Sequence, residues 1–194
     1  MPQTQIRIGG FGGQGVILSG IIIGRAAAIH AGLNATLIQS FGPEARGSSS
    51  SAELIISDGP IWYPYVTDLD MLVVLSQDAY ARFSPKLKKD GLLVTELDLV
   101  KPEAGDAHPR HFTVPATRLA EEIGRRIVLN IVTVGFFGAV SKLVPVEALE
   151  KAVKESVPPG TLDLNLRAFW KGHGAGLEAL AKANWTGETP VPLQ

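Results

Sequence analysis

Gly10-Phe11-Gly12-Gly13-Gln14-Gly15 is the stretch that decides the fold. A short apolar segment, Gln5 to Ile8, precedes it, and a long apolar run opens at Val16 directly after it. Strand, glycine-rich turn and helix follow one another in that order. Gly10, Gly12 and Gly15 keep the G-x-G-x-x-G spacing that lets a backbone approach a pyrophosphate at a helix N-terminus. The bland alternative is that the glycines serve only a tight turn and close helix–sheet packing. A nicotinamide dinucleotide site also requires an acidic residue at the end of the second strand, for the ribose hydroxyls. Gln39 and Ser40 stand there, and Glu44 lies beyond Gly42-Pro43. The pattern of an NAD site is therefore incomplete.

Working outward, Ile6 and Ile8 begin the first strand and Val16 to Ala31 forms the first helix. Ile17, Leu18, Ile21, Ile22, Ile23, Ala26 and Ala27 wrap most of that helix, so it must be buried on more than one side, by its sheet and by a second layer or another subunit. Gly32 ends it and Ala35 to Gln39 reads as the second strand. Phe41 to Ser51 reads as a polar loop, Ala52 to Ser57 as a returning strand, and Asp58-Gly59-Pro60 as a turn. Met71 to Leu75 is a fully apolar, central parallel strand. Ser76 caps the next helix, with Ala79, Tyr80 and Phe83 inward. Gly91 to Thr95 and His111 to Val114 are further strands, and Thr117 caps a helix from Arg118 to Ile123 that Gly124 stops.

Asn130 to Val140 is a second helix apolar all round, with Gly135 and Gly138 offering close approach. Pro145 suits the first turn of a helix running to Val157, and Pro158-Pro159-Gly160 breaks it. Leu162 to Ala183 is helical with an interruption around Gly172 to Gly176. Strands alternating with helices predict an α/β fold of three layers with a doubly wound, mostly parallel, Rossmann-like sheet. Residues 1–183 form one domain, and 184–194 a loose polar tail. In such sheets ligands collect beyond the carboxyl ends of the strands. Four loops should share that edge: Gly10–Gly15, Phe41–Ser50, Ser76–Gln77 and Glu96–Asp98.

Composition closes several functional classes. The 194 residues carry 18 Lys and Arg against 19 Asp and Glu, scattered, without the basic stripe that nucleic-acid binding needs. With no cysteine there is no disulfide, thiolate nucleophile or cysteine-ligated iron–sulfur cluster on this chain. Met1 to Arg7 is polar and lacks an apolar signal core, which predicts a cytoplasmic protein. The longest apolar stretch, Ile127 to Val140, is broken by Asn130 and Thr133 and falls short of the ~20 residues a bilayer span requires. No membrane partner is expected.

A catalytic set does not assemble from the remaining residues. His30, His108, His111 and His173 show no metal-ligand spacing. Asp68 and Asp70 read as solvated loop carboxylates, and no serine sits in a G-x-S-x-G elbow. Trp62-Tyr63-Pro64-Tyr65 reads as packing or a protein interface. In Gly42-Pro43-Glu44-Ala45-Arg46-Gly47, Arg46 with glycine backbone could hold a phosphate or carboxylate. The alternative is a mobile loop in which Glu44 and Arg46 pair with each other.

The ordered motifs nonetheless resemble a known family. Gly10-Phe11-Gly12-Gly13-Gln14-Gly15-Val16, Phe41-Gly42-Pro43-Glu44-Ala45-Arg46-Gly47, Ile61-Trp62-Tyr63-Pro64 and Leu75-Ser76-Gln77-Asp78-Ala79-Tyr80 look like the gamma subunit of 2-oxoacid:ferredoxin oxidoreductases, nearest to the 2-oxoglutarate branch. Val114-Pro115-Ala116-Thr117, the helix bearing Asn130 and Gly135, Val157-Pro158-Pro159-Gly160 and Leu164-Asn165 extend the likeness over roughly residues 5 to 176. The sequence departs at Phe41, where the family usually has Tyr, and at Ser48, where it has a further Gly.

The resemblance implies a multi-subunit, CoA-dependent enzyme that oxidatively decarboxylates a 2-oxoacid to an acyl-CoA and passes electrons to ferredoxin. It implies alpha, beta and delta partner subunits, with thiamine diphosphate, Mg and iron–sulfur clusters on them and no cofactor held tightly by this chain. The gamma subunit would cover or complete the active site, with CoA at its edge. Gly10, Gly12, Gly13, Gln14, Gly15, Glu44, Arg46, Gly47, Ser76 and Gln77 are the candidate binding residues, and none is catalytic. The isolated chain would be inactive and would self-associate through its apolar helix faces. The rivals are the small subunit of an indolepyruvate ferredoxin oxidoreductase, an NAD(P)-dependent dehydrogenase and a non-catalytic assembly protein.

Overall fold

A computed structural model describes residues 3–42, 47–102 and 108–183. Strands β1 (Gln3–Phe11), β2 (Asn34–Phe41), β3 (Ser49–Ser57), β4 (Leu69–Val74), β5 (Leu87–Glu96) and β6 (His111–Val114) build one sheet in the order β2-β3-β1-β4-β5-β6. From β1 through β4 and β5 to β6 all pairs are parallel. On the other side β3 runs antiparallel to both β1 and β2, so it alone opposes the common direction. The stretch expected to be a loop from Phe41 to Ser51 is shorter than its polarity suggested. Phe41 pairs with Ser50, and Ser49 with Phe11, because backbone hydrogen bonds are indifferent to serine side chains.

The alternation along β1 decides which layer each side chain joins. Ile6 and Ile8 enter the larger core. Arg7 points to the opposite face, where it donates to Glu53 at 2.5 Å and lies 4.5 Å over the Phe83 ring. That second face is closed by α2 (Gln77–Phe83), whose Ala79, Tyr80 and Phe83 pack on Leu69, Leu72, Val74 and Leu93. The first face carries α1 (Val16–Arg25), continued by a π turn at Ala26–His30, with α3 (Ala116–Glu122), α4 (Leu129–Ser141), α5 (Val146–Ser156) and α6 (Leu162–Lys182). The three-layer, doubly wound arrangement expected from the alternation is the one observed. No helix among the described residues is long and apolar enough to cross a membrane.

Three expectations need correction. Every residue of α4 is buried, with α6 of the same chain as its second cover, so its apolar faces are not open for the self-association expected of them. Second, α6 is unbroken through Gly172 to Gly176. A Cβ at Gly172 would overlap the Val132 carbonyl oxygen, and one at Gly135 would overlap the Phe169 carbonyl oxygen. Those glycines let two helices touch backbone to backbone; they do not end either one. Third, α3 starts after Pro115, and Thr117 does not cap it: its N–H donates to Glu96 Oε1 at 3.0 Å while its hydroxyl has no partner. The tail at 184–194 lies outside the described residues.

Candidate functional site

The carboxyl ends of β1, β2, β4 and β5 meet at one edge, as the parallel register requires: Gly9 stands beside Val74, and Val74 beside Thr95. The glycine loop after β1 is shaped by three different constraints. At Gly10 a Cβ would lie 2.5 Å from Gln14 Oε1 and 3.0 Å from Val16 Cγ2. At Gly13 the constraint is conformational, with φ at +99° and open space around it. At Gly15 both apply: φ is +71°, and a Cβ would stand 2.5 Å from Asn130 Cγ.

Gln14 holds the loop in place. Its Oε1 accepts from the Phe11 N–H and its Nε2 donates to the Leu75 carbonyl, both at 2.7 Å. The second loop is tied on by the Gly12 N–H donating to Ser48 O at 2.8 Å and the Gly47 N–H to Gly12 O at 3.3 Å. The Ser48 side chain packs where a Cβ on Gly42 would stand, 2.6 Å away. Glu44 and Arg46 lie outside the described residues.

Beside this loop is a cleft of about 390 Å³. Phe11, Val16, Ile17, Leu18, Phe41 and Ile127 form its apolar walls, with Gly12, Gly13, Gly15, Ser50 and Asn130 between them. Phe41 and Ile127 are 66% and 76% exposed, an unusual state for two large apolar side chains flanking one opening. The first turn of α1 opens here with no side-chain cap on its N–H groups. Orphan donors and the positive end of the helix dipole make such a terminus receptive to negative charge.

The other predicted site residues spend their polar groups internally. Ser76 Oγ accepts from the Ala79 N–H at 3.3 Å, capping α2 as its sequence position suggested. Gln77 exchanges hydrogen bonds with the Lys101 backbone at 3.1 and 2.8 Å. Glu96, fully buried, accepts from the N–H groups of Asp98, Leu99 and Thr117. Neither Ser76 nor Gln77 lines the cleft. Away from this edge, burial, reinforced by the neighbouring His108, lowers the pKa of His111, whose Nε2 lies 2.8 Å from Thr95 Oγ1. No group of three His, Cys, Asp or Glu among the described residues is placed to hold a metal.

Sequence reasoning did not single out Asn130 as a binding residue. It is 4% exposed, lines the cleft and has no hydrogen-bond partner among the described residues. The signal was present: α4 carries only two polar residues in its apolar interior before Ser141. The other, Thr133, satisfies itself on the Leu129 carbonyl at 2.9 Å. Asn130 does not.

A glycine loop at the edge of a mostly parallel sheet, followed by a helix whose N-terminus opens on a cleft, makes this a Rossmann-like α/β domain. The chain belongs to the pyruvate ferredoxin/flavodoxin oxidoreductase family, whose model matches residues 5–175. It is similar to a 2-oxoglutarate synthase subunit, KorC, of Methanothermobacter thermautotrophicus, with 47% identity over 176 residues, 88% of this chain and 93% of the relative. Among solved structures it is similar to the gamma subunit of a keto/oxoacid ferredoxin oxidoreductase from Geobacter sulfurreducens. That likeness has a TM-score of 0.81 and 38% identity, and covers 92% of this chain and 99% of that one. The fold recurs in a 2-oxoglutarate:ferredoxin oxidoreductase from Magnetococcus marinus with 2-oxoglutarate, coenzyme A and succinyl-CoA bound, at a TM-score of 0.81 and 24% identity. There it covers all of this chain and 33% of that one. This chain is accordingly a gamma-type subunit of a 2-oxoacid:ferredoxin oxidoreductase.

Proposed function

We propose that the complex served by this chain converts 2-oxoglutarate and coenzyme A to succinyl-CoA, with electrons passing to ferredoxin, and that this chain closes over an active site carried by alpha, beta and delta partners. The substrate reading is supported by the identity with KorC subunits, which extends along nearly the whole of both chains. Thiamine diphosphate with Mg, and the iron–sulfur clusters, are assigned to the partners. The absence of cysteine removes the usual cluster ligands from this chain, and no carboxylate–histidine group among the described residues suits a metal.

The observation that carries the binding role is the uncapped N-terminus of α1 opening on the cleft between Phe41 and Ile127. Coenzyme A combines phosphates, suited to those N–H groups, with a long arm and an adenine ring suited to apolar walls. Arg46 precedes Gly47 in sequence, and the Gly47 N–H donates to Gly12 O. A charge-assisted contact from Arg46 to phosphate is worth ~1.5–3 kcal/mol. Arg46→Ala in the reconstituted complex should raise the KM for coenzyme A about tenfold to a hundredfold at little change in kcat. Unchanged CoA kinetics with normal assembly would take Arg46 out of the site; failed assembly would make its loop an interface element.

The isolated chain is proposed to self-associate through surface that its partners cover in the complex. The π turn that continues α1 leaves Ile29 at 69% exposure beside a groove of about 230 Å³ lined by Ile21, Ala28 and Leu37 of the edge strand. Light scattering of the purified chain should show a dimer or larger species; a monodisperse monomer at high concentration refutes this.

A further inference from the structure

We infer that Asn130 is a ligand-binding residue: its amide and the uncapped first turn of α1 together form a pocket for a phosphate group at the floor of the cleft. Two independent observations meet at this point. The first is the α1 N-terminus, where Gly15 adopts φ +71° and no side chain accepts from the N–H groups that follow. The second is Asn130, on a different element, 4% exposed and without a hydrogen-bond partner among the described residues. Asn130 Oδ1 and Nδ2 are not among the buried side-chain atoms left without a partner, so solvent reaches the amide through the cleft, and a ligand entering the cleft would take the place of that solvent.

The geometry brings the two together. A Cβ added to Gly15 would stand 2.6 Å from Asn130 Nδ2, so the amide lies directly against the residue that opens α1. An anionic oxygen resting on the first turn would therefore be within reach of the Asn130 amino group. The walls are apolar, and no charged side chain is among the described residues that line the cleft. The backbone N–H groups and the amide are neutral donors that would hold an anion by charge–dipole attraction. Gly15 must be glycine for a second reason beyond its backbone angle: any side chain would fill the space between the helix start and the amide.

The shared chemistry is phosphate, whether from coenzyme A or from a free inorganic anion; coenzyme A as its source rests on the function proposed above. The test has two arms. In the first, the full chain is titrated with pyrophosphate and followed by amide NMR and calorimetry. The expected result is saturable binding with shifts concentrated at the backbone amides of Val16, Ile17 and Leu18 and the side-chain amide of Asn130. Asn130→Asp, which keeps shape and adds repulsion, and Asn130→Leu, which removes the donor, should each weaken binding at least about tenfold, equivalent to ~1.4 kcal/mol. No binding, shifts located elsewhere, or equal affinity in folded variants would overturn the inference. If either variant fails to fold, the shift map of the unsubstituted chain decides.

In the second arm, the same variants in the reconstituted complex are assayed at varied coenzyme A. A KM rising in parallel identifies coenzyme A as the phosphate source. Lost pyrophosphate binding with an unchanged KM would leave the anion pocket standing and refute the coenzyme A reading of the cleft.

Discussion

The α4–α6 crossing predicts opposite effects for one substitution made two residues apart on one helix. At Gly174 a Cβ would meet nothing within 4 Å. Gly174→Ala should act only through helix propensity, stabilising the protein by ~0.5–1 kcal/mol. At Gly172 the new Cβ would overlap the Val132 carbonyl oxygen, with Val132 C at 2.7 Å and Cα at 2.9 Å. All three are backbone atoms, so no rotamer change relieves the clash and the helices must move apart. Overpacking a tight core costs ~1–3 kcal/mol and occasionally more. Backbone overlap belongs at the upper end, so the propensity gain is outweighed and the net loss is ~1–3 kcal/mol. In a domain of this size ~1 kcal/mol moves Tm by about 2–4 °C. Gly174→Ala should therefore raise Tm by about 1–4 °C and Gly172→Ala lower it by about 2–12 °C. Paired urea and thermal unfolding of the two variants and the parent measure this. Equal signs for both substitutions, or a neutral Gly172→Ala, would refute the backbone-contact account of the crossing.

Two further outcomes are expected. Glu96→Ala removes the acceptor of the Asp98, Leu99 and Thr117 N–H groups, of which only the Thr117 bond is buried, and should cost about 1–3 kcal/mol in urea unfolding, the cost of leaving one buried donor without a partner; a loss under ~0.5 kcal/mol would show that water or rearranged backbone replaces the side chain. His111, its pKa lowered by burial, stays neutral in the folded chain where the unfolded chain takes up a proton. Stability should fall as pH drops through the ordinary histidine value near 6.5, because the unfolded state then binds more protons. His173 is lowered in the same direction, so His111→Asn should reduce, without abolishing, the difference in urea midpoint between pH 7.5 and 5.5; an unchanged difference would exclude His111 as a contributor.

What was legible in the sequence follows from what each signal measures. Apolar runs located β4 and the buried half of β5, because burial on both faces leaves a continuous apolar string. Ser76 was readable as a cap because its oxygen acts locally, on the N–H three residues ahead. Gly172 and Gly176 were misread for the converse reason. Glycine signals a weak helix when only propensity is considered, and the compensating contact with Val132 and Phe136 comes from α4, remote in sequence. Thr117 failed similarly: the position looked like a local cap, but the acceptor for its N–H is Glu96, twenty-one residues away. Asn130 was hidden in a helix whose composition announces core. Its significance lies in a missing partner, which no residue string records.

The place of β3 explains why a glycine loop of dinucleotide type lacks the acid that would complete it. In a sheet where β2 paired directly with β1, the end of β2 would flank the phosphate loop and an acidic residue there would reach the ribose. Here β3 is inserted antiparallel between them, so β2 lies two strand spacings, ~10 Å, from β1. The end of β2 carries Gln39 and Ser40, and neither lines the cleft. Phe41, the last residue of the strand, does, and it supplies apolar wall in place of a hydroxyl-binding carboxylate. Across from it Ile127 precedes α4, and Asn130 one turn later lies against Gly15. The cleft thus lies in the gap between α1 and α4, not between two parallel strands. A ligand there meets helix N–H groups and an amide at one end and aromatic and aliphatic surface at the other. Such a cleft is open on the side of Phe41 and Ile127, which is the side on which the closure proposed above would take place.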